Sequence, residues 1–430
     1  MASTSPKMPI QKIALYTAYP WEHALVDLRV EGPCREAGIE VLRGGNGPDA
    51  DPESVREADL VLIQRDFPRY TEAYQQVLRQ ARAARVPVVF DLDDLLLELP
   101  PHHPDRAIHY YTEALAPMLH AIVEADAVTA STGLLRDYLR EFNPRVWLLP
   151  NYLDDRVWQL RAPQEGDSDP LVIGYIGGST HAPDLEYIAP ALQSIAQNHG
   201  RAVQLRFWGG APPEALLELP NADWVELGLP YPEFSEFCRS LACDIFIAPL
   251  QANLFNRCKS HVKYLEYSSM GVPGVYSRID PYESIVDHGA NGYLAADLSE
   301  WEQHLNTLID SPALRSTMGR AAQETVRESW LLSENAGRWA QAYAEIKAGY
   351  PLEVRDSLNQ RTAAKMAQFH IEMQALQQAR SAQLQAELEQ SQTQARAFQG
   401  STAYKLGSLL APPGSRRERL VQRAARILRI

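Results

Sequence analysis

Short apolar runs alternate with amphipathic stretches from the start of the chain to about residue 330. KIALYTA (12–18), IEVLRG (39–44), ADLVLIQR (58–65), VPVVFDLDD (86–94), DAVTAST (126–132) and VWLLPN (146–151) have the length and content of strands. Between them, VDLRVEGPCREAG (26–38), YTEAYQQVLRQARAAR (70–85), YYTEALAPMLHAIVEA (110–125) and TGLLRDYLREF (132–142) read as helices. Alternation of this kind predicts a parallel sheet covered by helices on both faces. A linker-like stretch, RAPQEGDSDP (161–170), interrupts it. The pattern then restarts with strands at 171–178, 203–210, 223–229, 243–250 and 274–278. Helices are predicted at 183–200, 231–242, 259–270, 299–310 and 311–330, with helical character at 282–288. Two doubly wound α/β units in tandem place a cleft between the carboxyl ends of both sheets, where such folds bind ligands.

The composition changes after about residue 352, where Gln and Ala dominate. Met366, Phe369, Met373 and Leu376 follow 3–4–3 spacing. Arg380 and Gln383 then take the seam positions before Leu384 and Leu388 resume it. Such a helix either lies on the body or pairs with another chain. The last thirty residues carry Lys405, Arg416, Arg417, Arg419, Arg423, Arg426 and Arg429 against Glu418 alone. Within 408–430, Leu420, Ala424, Ile427 and Leu428 share one helical side. That is either an amphipathic surface for anionic lipid or a solvated basic tail. The expected divisions are 1–160 and 165–350 for the two α/β domains, 352–400 for the amphipathic helix and 401–430 for the tail.

The chain has 430 residues and a formal net charge of −13, with 45% hydrophobic and 22% charged residues. This is globular composition, and an acidic body argues against sequence-independent nucleic-acid binding. No run reaches the roughly 18 apolar residues of a spanning helix. The N-terminus lacks a basic-then-apolar signal design, and Cys34, Cys238, Cys243 and Cys258 show no metal-ligand spacing. The expected location is the cytoplasm, with the basic end a route to the inner face of the plasma membrane.

The richest chemistry lies in 243–297. A strand ends at Pro249, and a polar loop with Asn253, Asn256, Arg257, Lys259 and Ser260 leads into a helix bearing Lys263 and Glu266. A helix start at the mouth of a sheet presents free N–H groups and partial positive charge, which suits phosphate. Glu266 is placed to accept from a pair of sugar hydroxyls. By spacing alone, Lys263 and Glu266 read equally well as a surface pair one turn apart.

The segment resembles the donor-binding core of GT-B glycosyltransferases of the large retaining family 4. The resemblance rests on Cys243-Asp244, Ala248-Pro249, Leu265-Glu266, Met270-Gly271-Val272-Pro273 and the run from His288 to Leu294. Gly-rich turns at Gly174-Tyr175-Ile176-Gly177-Gly178, Phe207-Trp208-Gly209-Gly210 and Val225-Glu226-Leu227-Gly228 are similar too, as are Ser311-Pro312-Ala313-Leu314-Arg315 and Trp330. Two departures stand out. Cys258 occupies the place of the first Glu in the family's E-x7-E pair, so the chain resembles a variant with K-S-x-x-K-x-x-E from Lys259 to Glu266. Ser179-Thr180-His181 follows Gly178, where the family's Arg/Lys pair is expected.

The resemblance implies a nucleotide-sugar donor in the second domain and an acceptor, a glycan or a lipid- or protein-linked one, in the first. It implies retention of configuration and no cofactor. Glu266 would hold the ribose, Arg257, Lys259 and Lys263 the diphosphate, and Asn253 and Asn256 the transferring sugar. Gly177, Gly178 and Ser260 complete the expected donor site. Asp93 and Asp94 stand at the mouth of the first sheet, with Lys259 and Lys263 as the other candidate catalytic groups. Trp21, His23, Arg29, His102 and His103 are the acceptor-side candidates. Pro150-Asn151 resembles the family's hinge between domains. Asp91-Leu92-Asp93 has the D-x-D form of a metal motif in a different glycosyltransferase fold, yet a metal-independent reaction is expected here. Two rival readings share these residues: a sugar-nucleotide epimerase or phosphorylase using the same cleft, and a degenerate scaffold acting through its helix and tail.

Overall fold

The computed structural model describes residues 10–163, 168–350 and 360–400, together with positions 414–416, 419, 420 and 423. The first sheet holds β1 (Lys12–Tyr16), β2 (Glu40–Gly45), β3 (Leu60–Gln64), β4 (Val88–Leu92), β5 (Ala127–Ala130) and β6 (Val146–Leu148). Its order is β2-β1-β3-β4-β5-β6, and every pairing is parallel. Strands β3 and β4 are buried at every position, because helices cover both faces.

The second sheet holds β7 (Leu171–Gly177), β8 (Val203–Gly209), β9 (Ala222–Val225), β10 (Ile245–Ala248), β11 (Gly274–Ser277) and β12 (Tyr293–Ala295), in the order β12-β11-β10-β7-β8-β9. This sheet is also parallel throughout. After β9 the chain jumps across β7 to β10. The topological switch therefore lies between β7 and β10, and the loops leaving those strands diverge to open a crevice. These loops are Gly177-Gly178 and the polar stretch ahead of the helix Val262–Ser269. Sheet topology thus brings together two segments that are about seventy residues apart in sequence.

The helices at 70–85, 110–125, 183–200, 299–310 and 311–330 form as the spacing predicts, as Thr71–Ala84, Thr112–Glu124, Ala182–His199, Leu298–Ile309 and Pro312–Ser329. Asp297 and Ser311 cap the last two by accepting from backbone N–H groups three residues on. The helix at 26–38 is interrupted by a π turn over Asp27–Glu31, which carries Arg29. The periodicity did not disclose β12 or the helix Gly337–Ala348.

That helix changes the domain division. The chain passes back at Leu153, which pairs with Leu331, and Leu332–Asn335 and Gly337–Ala348 then pack on the first sheet's side. Trp339, Tyr343 and Ile346 share a core with Ile13, Val26 and Val30, and Lys347 pairs with Asp59 at 2.6 Å. The stretch expected as one domain over 165–350 thus contributes its last helices to the first. The apolar face of Gly337–Ala348 carries Trp339, Tyr343 and Ile346, and burying it in that core removes it from water.

The residues after 350 behave differently. Helix Gln360–Gly400 begins with Lys365 bonded to Glu98 at 2.6 Å, and Glu98 also accepts from the Tyr138 hydroxyl. Residues beyond Met366 form a separate compact unit. In it Phe369 and Leu376 are buried and Met373 is half-buried, whereas Leu384 and Leu388 are exposed. The basic tail at 401–430 lies outside the described residues but for the few positions named above. Among the described residues no helix is long and apolar enough to cross a membrane.

Trp339 is buried on the first domain although it comes late in the sequence. Trp339→Ala should lower unfolding free energy by about 3–5 kcal/mol, the usual cost of emptying an aromatic core site. Urea unfolding followed by far-UV circular dichroism checks this, and a loss below 1 kcal/mol would show that the helix is a dispensable strap.

Candidate active site

A cavity of about 940 Å³ opens where the carboxyl ends of the two sheets face each other. Its second-domain wall is built at the switch point. Gly177 and Gly178 end β7, and Gly209-Gly210 end β8 close beside them. A Cβ on Gly210 would collide with the backbone nitrogen of Ser179, so this approach requires glycine. Opposite the turn, Lys259, Ser260, Lys263 and Glu266 line the cavity from the loop and first turns of Val262–Ser269. No side chain caps that helix start.

Lys263 donates to the carbonyl of Ile176 at 2.6 Å and lies over the Tyr175 ring. Burial pulls its ammonium below the usual lysine range, Glu266 opposes that shift, and Lys259 adds to it. Burial pushes the Glu266 carboxyl up, against the pull of Lys263. Lys259 lies over the Phe255 ring, 4.6 Å from its centre. The i,i+3 pair is therefore no solvated surface pair. Its charges are held in the cavity wall, where burial opposes each and the partner charge offsets part of that cost.

The other donor-side candidates divide. Asn253 caps the short helix Leu254–Arg257 by accepting from the Asn256 N–H at 2.8 Å. Asn256 is buried and donates to Asp184 at 2.9 Å and to the Gln251 carbonyl. Both shape the loop and do not line the cavity. Arg257 points away, half exposed, toward Asp280 at 3.6 Å. The expected sugar and diphosphate roles of these three give way to local turn geometry, in which Asx-type bonds claim the amides first. Cys258, at the place of the family's first Glu, has a fully buried side chain. His181 stands where cations were expected. It is bonded to Asp184 at 3.1 Å, and burial with Lys259 nearby lowers its pKa to about 4.

The first-domain wall carries Asp93, Asp94, His23 and His103, together with Tyr19, Arg65 and Tyr111. Arg65 lies 3.3 Å from Asp93 and 3.9 Å from Asp94. Burial pushes the Asp93 carboxyl up despite Arg65. Burial also pushes Asp94 up, but Lys259, Arg65, His181 and His103 together hold it below the usual range. Tyr19 and Tyr111 meet through their hydroxyls at 3.2 Å. Arg65 has φ of 48°, a left-handed conformation that costs a non-glycine residue and recurs at functional sites. Sequence reading missed Arg65, Tyr19 and Tyr111. Arg65 was detectable as the first residue after a fully buried parallel strand, at the end where ligands bind.

Three acceptor-side candidates do not reach the cavity. Trp21 lies under Arg43, and His102 is exposed. Arg29 is 1% exposed and turns inward to Asp91, Leu149 and Asn151. Asp91 is engaged by Arg29 on both oxygens and accepts from Thr129 at 2.7 Å, so the D-x-D triplet is divided between a buried fork and the cavity. Among the described residues no group of three His, Cys, Asp or Glu is placed to hold a metal ion.

Two six-stranded parallel sheets facing a cleft have the architecture of the GT-B fold. Residues 170–311 match the family model described as Glycosyl transferases group 1. No curated protein matches. The fold is similar to HepE of Anabaena, solved in complex with UDP-glucose, with a TM-score of 0.55 at 15% identity over 78% of this chain and 100% of that one. It is also similar to sucrose-phosphate synthase of Thermosynechococcus elongatus, with a TM-score of 0.56 at 14% identity over 79% of this chain and 100% of that one. A glycosyltransferase of Rickettsia africae gives 0.53 at 12% identity, covering 78% and 98% of the two chains.

The buried histidines set a pH dependence. His181 and His261 both have pKa values lowered to about 4 by burial, against 6.5 in an unfolded chain. A depressed folded pKa means that the unfolded chain takes up the proton first. Their contribution is complete above about pH 6.5 and is lost as pH falls toward 4. Urea midpoints should therefore fall between pH 7 and pH 4.5, and His261→Phe should flatten that fall. A His261→Phe protein with the wild-type slope would remove His261 from the effect.

Proposed function

We propose that the protein transfers a glycosyl unit from a nucleotide sugar to a hydroxyl of a saccharide, lipid-linked or protein-linked acceptor, in the synthesis of a cell-surface glycan. The observation that carries this reading is the set Lys259, Ser260, Lys263 and Glu266, gathered around one helix start and lining the same cavity as Gly177-Gly178. A diphosphate needs cations, hydroxyl donors and N–H groups converging on one point, and this wall has all three. Glu266, further along the helix, is suited to accept from a ribose diol. The sugar would then lie toward Asp93, Asp94 and Arg65, whose carboxylates accept from hydroxyls and whose guanidinium donates to them.

In this reading the enzyme contributes no nucleophile of its own. Resemblance to the retaining family supports attack by the acceptor hydroxyl on the face that the diphosphate leaves. The leaving oxygen gathers negative charge as the bond breaks, and Lys259, Lys263 and the helix start are already oriented to receive it. Holding donor and acceptor in one cavity replaces a bimolecular encounter. Reaction without metal is supported by the cations on the donor wall and by the engagement of both Asp91 oxygens with Arg29.

The residues beyond 352 suit a further role, in which the helix self-associates or docks on a partner and 408–430 adds affinity for an anionic membrane. The exposure of Leu384 and Leu388 supports the first part. Light scattering and flotation with anionic liposomes at low salt check both, and a monomer that ignores the liposomes would end the proposal.

Glu266→Ala should weaken nucleoside diphosphate binding by about 1.5–3 kcal/mol, the worth of hydrogen bonds to a charged group. Lys263→Ala should harm diphosphate binding more than nucleoside binding. Calorimetry with UDP, ADP, GDP and their nucleosides measures both. EDTA should leave turnover intact, whereas loss restored by Mn²⁺ would demand a metal. A protein that binds none of these nucleotides would refute the assignment.

A further inference from the structure

Arg29 and Asn151 belong to one buried chain of hydrogen bonds that ends at the cavity. Arg29 sits on the π turn Asp27–Glu31, a local insertion of the kind found at functional sites. Its Nη2 and Nε grip Asp91 at 2.6 and 3.3 Å. Its Nη1 donates to the Leu149 carbonyl at 2.6 Å and to Asn151 Oδ1 at 2.8 Å. Asn151 Nδ2 then crosses to the second domain and donates to Ser260 Oγ at 2.9 Å. Asn151 is 3% exposed, so little solvent competes for its amide.

The direction of this chain is fixed by chemistry. A guanidinium only donates, so the oxygen of the Asn151 amide must face Arg29 and its NH₂ must face Ser260. Ser260 Oγ is therefore an acceptor toward Asn151, and its own O–H is left to donate elsewhere. Ser260 lines the cavity between Lys259 and Lys263. A second bond holds the same loop: Thr132 Oγ1 donates to the Cys258 carbonyl at 2.9 Å. His103 of the first domain also packs edge-on against Phe255, at 5.0 Å between ring centres.

We propose that Arg29 and Asn151 are positioning residues for the donor site: the first domain, through this chain, orients the Ser260 hydroxyl as a donor to a diphosphate oxygen. This rests on the donor reading above. It makes full diphosphate binding depend on the arrangement of the two domains, because Arg29, Asp91 and Asn151 lie in the first and Ser260 in the second. A nucleoside, which lacks the diphosphate, would not sense it.

The test is a double-mutant cycle on UDP and uridine affinity. Ser260→Ala should weaken UDP binding by about 10- to 100-fold, the range for a hydrogen bond to a charged group, and leave uridine within about twofold. Asn151→Ala should reproduce that selective loss, and the double variant should lose no more than either single one. Additive losses, an equal loss for uridine, or unchanged UDP affinity in Asn151→Ala would each overturn the proposal. A second measurement separates this from failure of the donor reading. In ligand-free protein, amide exchange at Cys258 and Lys259 should rise about tenfold in Asn151→Leu while that of Ala182–His199 stays the same. If wild-type protein binds no nucleotide, the donor reading falls, and with it the assignment of the Ser260 hydroxyl. The exchange result then decides whether Asn151 positions the loop, and unchanged exchange would overturn that part as well.

Discussion

Arg29 is a full positive charge with almost no contact with water, and much of the arrangement between the two domains follows from how that charge is satisfied. A buried guanidinium with an unmet donor would cost several kcal/mol, so its partners are fixed with it. Asp91 supplies the countercharge, and the Leu149 carbonyl and Asn151 both accept from Nη1. Leu149 and Asn151 stand where the first domain ends and the chain crosses to the second. The charge therefore fixes the exit direction of the chain as well as the end of β4. An ion pair of this kind gives little net stability, because desolvation offsets the attraction. What it gives here is a single geometry.

From that fixed junction, topology does the rest. Each sheet leaves its loops diverging at one place, and the two places face each other. On the second side, β7 and β10 deliver a glycine turn and a cationic helix start to the same point, as suits a compact anion. On the first side, β1, β3 and β4 deliver Tyr19, Arg65 and the Asp93-Asp94 pair. One wall is rich in cations and N–H groups, and the other in carboxylates and aromatic hydroxyls. In the proposed transfer the two walls suit different parts of one reaction, the departing charge on one side and neutral hydroxyls on the other.

The titratable groups of the cavity are held away from their ordinary states by burial. Lys263 is pulled down, and Glu266 and Asp93 are pushed up. Asp94, ten residues beyond the helix Thr71–Ala84, goes the other way because cations surround it from both domains. Such a set of opposed charges would suit a ligand that carries charge and hydroxyls together, as the proposed donor does. The strained backbone of Arg65 belongs to the same account, since the fold holds it against its local preference.

The alternation of strands and helices, the two doubly wound units and the polar loop leading into the helix at Lys259–Glu266 were legible in the sequence, because period and glycine placement are local properties. Lys263 and Glu266 could be named as a site or as a surface pair, and only the structure shows that both line the cavity. Arg257, Asn253 and Asn256 look like ligand-binding residues in a linear reading. Folding turned the first away and spent the amides of the others on their own loop. Arg29 was assigned to the acceptor by its position after the first strand, yet the π turn rotates it inward to Asp91. The helix Gly337–Ala348 joined the first domain because its aromatic face fits that core, a matter of packing that no local pattern encodes. The sequence by itself determined most of the strands and helices and the residue types available to the second domain's wall. The tertiary structure decided which side chains face one another, because facing depends on contacts between residues as far apart as Arg29 and Trp339.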